Sequence, residues 1–120
     1  MLNHRIAIII PSSVAANIAA PELAAKWVRK AKELFAETFD GFTATPATGG
    51  WMSEEHGLIE EAVVVVQSMT DEKGLLAGRG IVREFAVTLA AAMGQECVSV
   101  EIDNSLEFIS TADETAGMTG

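Results

Sequence analysis

Gly49-Gly50-Trp51-Met52, then Leu58-Ile59-Glu60-Glu61-Ala62-Val63-Val64-Val65-Val66, is the stretch on which a fold assignment turns. Val63 to Val66 is an unbroken β-branched run. Such side chains are stiff at χ1 and pack well on a pleated surface, so the run favours strand over helix. Ser53-Glu54-Glu55-His56-Gly57 supplies the reversal of a hairpin, with Gly57 free to take a positive φ. Gly49-Gly50 predicts a bulge or sharp bend in the partner strand. Alternation sends Val64 and Val66 one way and Val63 and Val65 the other. A strand wet on one side alternates apolar with polar. This one does not, which predicts burial on both of its faces.

The chain has 120 residues, half of them hydrophobic, which is enough for one domain with its own core. Its net charge is −9. Nucleic-acid binding needs clustered Lys and Arg, so that class is excluded. Between Glu33 and Glu72 stand nine acids and no Lys or Arg. The basic residues gather at Lys26 to Lys32 and at Arg79 and Arg83. This acidity either serves solubility or meets a basic protein partner. Cys97 is the only cysteine, so no intrachain disulfide forms. No signal peptide or membrane span is evident, and a cytoplasmic protein is expected.

Outward from the hairpin, Arg5 to Ile10 reads as a second strand that is apolar on both faces. Val14 to Ala20 is a loop or a helical turn. Pro21 suits the first turn of a helix that carries Leu23, Trp27, Ala31, Leu34 and Phe35 on one face and ends near Phe39. Phe42 to Thr48 is a strand. Its Pro46 lacks a ladder donor, which places it at a sheet edge. Ser68 or Thr70 caps a second helix. That helix starts poorly through Gly74, Gly78 and Gly80, then sharpens at Ile81, Phe85, Leu89 and Met93. Cys97 to Asp103 alternates as a strand, and Leu106 to Ile109 is a candidate short final strand.

Strand, helix, strand, strand, helix, strand is the order of a ferredoxin-like βαββαβ plait, an α+β fold with an antiparallel sheet ordered 4-1-3-2. It spans 1–110, and 111–120 is a disordered tail. Both helices lie on one face. The other face is open and apolar, which marks an interface or a pocket. Ile8, Ile10, Val63 and Val65 are the expected interface residues, and a homodimer or higher homo-oligomer is the expected cover.

Gly50-Trp51, Glu60-Glu61-Ala62-Val63-Val64-Val65 and Gly94-Gln95-Glu96-Cys97-Val98 together resemble a pattern found in an uncharacterised group of small bacterial ferredoxin-like domains. The resemblance spans residues 5 to 109. It implies the fold and no substrate. The architecture also looks like the dimeric α/β barrels, which include monooxygenases, stress-response barrels and small regulators.

Candidate chemistry is sparse. Glu60 and Glu61 open the central strand and face opposite ways, so one of them is a candidate base on the open face. His56, beside Glu54 and Glu55, is a poor metal signature, and no metal or cofactor is expected. Cys97 is expected to be a small buried hydrophobe. His4 falls at the frayed start. Gly74 to Gly80, with Lys73, Arg79 and Arg83, is an anion-binding candidate, a close helix–helix contact or a flexible loop. Trp51, Arg79 and Arg83 are the ligand-binding candidates. The favoured reading is a non-enzymatic, self-associating domain that binds a protein partner or small ligand through its open sheet face. The alternatives are a small barrel enzyme of monooxygenase or isomerase type, with Trp51, His56, Glu60 and Glu61 near an apolar pocket, and an acidic inhibitor mimicking nucleic acid.

Overall fold

The computed structural model describes residues 1–14 and 18–111. The strands are β1 (His4–Pro11), β2 (Ser13–Val14), β3 (Ile18–Ala19), β4 (Thr43–Ser53), β5 (Gly57–Thr70), β6 (Val98–Ile102) and β7 (Ser105–Ile109). The helices are α1 (Pro21–Phe39) and α2 (Glu72–Ala92). The expected tail 111–120 falls, apart from Thr111, outside the described residues, as does Asn17 of the 14–20 segment. What is described of that segment forms the small β2–β3 ribbon.

The four-stranded 4-1-3-2 plait is corrected. The sheet has five antiparallel strands in the order β4-β5-β1-β6-β7. The fifth strand makes the difference. Asp103 adopts a left-handed φ of 54°, and with Asn104 it folds β7 tightly back onto β6. Short polar side chains tolerate that conformation. β6 is therefore an internal strand, and β7 takes the edge. Pro46 lies on the opposite edge strand, β4, where a missing donor is harmless.

Only one face of the sheet is covered by helices. Ile6, Ile8 and Ile10 of β1, Val66 of β5 and Val98 and Val100 of β6 form one row of alternating positions. They pack with Trp27, Ala31 and Phe35 of α1 and Val82, Ala86 and Leu89 of α2 in a single core. Ile8 and Ile10 are thus core residues and present nothing to a partner, which corrects their place among the interface residues. On the other face, Ile9, Val63 and Val65 are half-buried, so the expected burial of the valine run on both faces is corrected too. Ala7, on that same row, is fully buried. It stands in register between Gln67 and Glu101, and Arg5 bridges the two, with Nε 2.8 Å from Gln67 and Nη1 3.4 Å from Glu101.

The hairpin is straighter than its glycines suggest. β4 runs through Gly49 and Gly50 without a bulge, in register with Glu61 and Glu60. Gly50 is needed for another reason: a Cβ there would stand 2.8 Å from the Ile59 carbonyl oxygen. α2 is continuous through its glycines. Its cap is Asp71, whose carboxylate accepts from the Gly74 N–H at 2.8 Å, and not Ser68 or Thr70, which belong to β5. Gly78 is a close helix–helix contact: a Cβ there would meet the Phe39 ring at 2.5 Å.

Candidate functional site

A groove of about 860 Å³ runs between α1 and the helix-side surface of β4 and β5. Its walls are apolar and include Val28 and Ala36 of α1 and Pro46, Ala62 and Val64 of the hairpin. Val64 is half-buried because it faces this groove rather than α1 itself. Arg29, Lys32 and Glu33 bring charge from α1, and Ser12 brings it a hydroxyl from the end of β1. The volume falls within the roughly 300–1,000 Å³ typical of small-molecule sites, which combine apolar walls with a few polar groups.

One carboxylate is fixed beside the groove. Glu61 Oε2 accepts from the Ser12 N–H at 3.2 Å, from the Ser13 N–H at 3.1 Å, and from the Ser13 hydroxyl. Two consecutive N–H groups converging on one oxygen form a small anion-binding nest. The Ser13 carbonyl in turn accepts from Gln95 Nε2 at 2.6 Å. The start of β5, the end of β1 and the turn before β6 are tied at this point. Glu61 shares its row with Val63 and Val65, on the face away from the helices, and its carboxylate meets the groove only through Ser12, which belongs to both the groove and the nest. Glu60, on the same row as Ala62 and Val64, is exposed.

The other candidates do not converge. His56 lies in the exposed turn, 3.6 Å from Glu55, with Ser53 Oγ accepting its backbone N–H at 3.2 Å. Trp51 is half-exposed on β4, near the hairpin tip. Arg83 pairs with Glu107 on β7, the far edge of the sheet from β4, and Arg79 is exposed one turn earlier on α2. Trp51 and the two arginines therefore do not share a site. Cys97 is exposed rather than buried. His4 is not frayed but opens β1, with Nδ1 2.9 Å from the Asp103 carboxylate. That bond, followed by the Arg5 N–H at 3.0 Å, holds the Asp103 carboxyl below its ordinary range. No group of three or more metal-ligating side chains occurs among the described residues, and none of their helices is long and apolar enough to cross a membrane.

Arg29, Lys32 and Ser12 were missed in the sequence as site residues. The helical spacing of Arg29 and Lys32 was legible, but the surface they would face was not. Ser12 and Ser13 read only as the end of a strand.

No protein-family model matches the chain, and no curated protein matches it. Solved structures do. The fold is similar to that of a phage SAM lyase in complex with S-methyl-5'-thioadenosine, with a TM-score of 0.63 at 15% identity over 89% of this chain and 88% of that one. It is equally similar to a phage SAM lyase in the apo state, with a TM-score of 0.63 at 18% identity over 90% and 89%. At that identity the likeness establishes the shared fold.

Proposed function

We propose that this chain is a small enzyme that binds S-adenosylmethionine in the groove beside Glu61 and cleaves it to S-methyl-5'-thioadenosine. The observation that carries the reading is the match of nine-tenths of both chains to a phage SAM lyase, together with a groove of suitable size next to a fixed carboxylate.

The chemistry fits the residues at hand. S-adenosylmethionine joins a purine nucleoside, a positively charged sulfonium and an amino-acid arm. Val28, Pro46 and Val64 offer an apolar wall to the purine. Glu61 offers a negative charge to the sulfonium. Lys32 and Arg29 offer partners to the arm's carboxylate. As the arm's own carboxylate oxygen attacks the γ-carbon and closes a five-membered lactone, the bond from that carbon to sulfur breaks, both its electrons stay on sulfur and a neutral thioether leaves. No acid is needed to expel it. The protein's task is to hold the arm in a reactive geometry, the kind of positioning that converts binding into rate.

Isothermal titration of the folded protein with S-methyl-5'-thioadenosine tests the site. Saturable one-to-one binding, weakened at least tenfold by Val64→Glu and by Ala36→Glu, supports it. Undetectable binding to the folded protein contradicts it. A second reading is favoured by the half-exposed Ile9, Val63 and Val65: a non-enzymatic domain that binds a partner through the sheet face without helices. Substitution of Val65 by Glu separates the two, because it leaves the groove intact and charges only that face.

A further inference from the structure

We infer that the β4–β5 hairpin tip of one copy docks along the open side of the α1–hairpin groove of a second copy, head to tail.

The tip is an arm without support. β1 pairs with β5 only from Thr70 down to Val63, opposite Pro11. Residues 57–62 of β5 therefore have β4 as their one ladder partner. A two-stranded ribbon on its own is marginal in water, and a third strand or a packed surface is what stabilises it. This ribbon also carries apolar side chains into solvent: Trp51 is 50% exposed, Met52 72% and Leu58 62%. Isolated exposed apolar residues are ordinary, but Met52 and Leu58 stand directly opposite each other on one face of the ribbon, with Trp51 on its other face, and such a pair marks an interaction surface.

The groove supplies a matching surface. Its walls are apolar, and α1 carries four of the chain's eight basic residues, Lys26, Arg29, Lys30 and Lys32. Lys32 lines the groove and has no ion-pair partner among the described residues. The arm carries Glu54, Glu55 and Glu60 and no Lys or Arg. An acidic, apolar-tipped arm and a basic-rimmed, apolar groove are complementary in both respects.

The arm cannot satisfy its own groove. The groove's lining on β5 reaches Ala62, and Gly57 lies five residues nearer the hairpin tip. At about 3.3 Å per residue the tip stands roughly 16 Å beyond it. The occupant is therefore another copy, and the contact joins two different surfaces. Such heterologous contacts close into rings or extend into filaments.

The proposal does not rest on the substrate assigned above, and its test is run without any ligand. One variant, Met52→Asp with Leu58→Asp, disables the arm. A second, Ala25→Glu with Lys32→Glu, disables the groove. All four positions are on the surface or partly so, and circular dichroism checks that both variants fold. Native mass spectrometry is expected to show wild-type oligomers, monomers for each variant alone, and one-to-one heterodimers when the two variants are mixed, because the mixture retains one intact arm and one intact groove. A wild-type monomer at high micromolar concentration overturns the inference. So does wild-type-like assembly of either folded variant, or a mixture that stays monomeric.

Discussion

The Ser13 backbone N–H lies 3.1 Å from the Glu61 carboxylate, across 48 residues of chain. Ser13 is buried, so this donor has no access to water. Removing its acceptor leaves a buried group unsatisfied, which costs about 1–3 kcal/mol. Glu61→Ala is therefore expected to lower stability by that amount in urea unfolding. Glu60→Ala, one residue away and exposed, is expected to stay within about 0.5 kcal/mol. Equal effects at the two positions would show that the nest does not contribute.

The two glycines of α2 that look alike in sequence differ in their surroundings. At Gly78 a Cβ would overlap Phe39 at 2.5 Å and Thr38 Cγ2 at 2.9 Å. Gly78→Ala is expected to destabilise by about 1–3 kcal/mol through overpacking. At Gly80 nothing lies within 4 Å. Gly80→Ala is expected to stabilise by up to about 1 kcal/mol through helix propensity alone. Thermal melts of both variants check the pair, and a shift of the same sign in both would contradict it.

One-sided coverage of the sheet makes neighbouring isoleucines unequal. Ile8 is fully buried under the helices, and Ile9 is half-buried on the other face. Ile8→Ala is expected to cost about 2–5 kcal/mol, and Ile9→Ala clearly less. Denaturant midpoints of the two proteins read the difference directly.

The Asp103 carboxyl is held below its ordinary value of 3.8, first by the His4 hydrogen bond and then by the Arg5 N–H. A depressed folded-state value stabilises the protein above the unfolded value. The contribution fades as pH falls through the folded one. Asp103 is exposed, so the effect is small. Asp103→Asn is expected to lower the melting temperature at pH 6 and to converge with wild type as the pH falls below 3.8 and through the lower folded-state value. A constant offset down to the lowest pH would rule out this linkage.

Much of this architecture was legible because it rests on local signals. Pro21 at the start of α1 and the β-branched runs in β1 and β5 act within a few residues. So does the turn at Gly57, whose φ is 72°. What escaped depends on distant partners. Leu106 to Ile109 reads as a candidate strand and is one, but nothing in it fixed its pairing as a fifth strand on β6; the bond between His4 and Asp103 and the salt bridge from Arg83 to Glu107 help secure that edge only after folding. The glycines of α2 read as weakness until Phe39 is seen against Gly78. The valine run read as buried on both sides because its composition does not reveal that Val64 faces a groove and Val63 and Val65 a sheet without helices. Glu61 was singled out from its place at the head of β5, but its partners Ser12 and Ser13 were invisible until β1 and β5 were aligned.

The most direct measurement is incubation of the purified protein with S-adenosylmethionine, followed by liquid chromatography and mass spectrometry. Time-dependent release of S-methyl-5'-thioadenosine in proportion to protein concentration is expected, reduced at least tenfold in a folded Glu61→Gln variant. Product no faster than in a protein-free blank, from wild-type protein shown to be folded, would contradict the proposed activity.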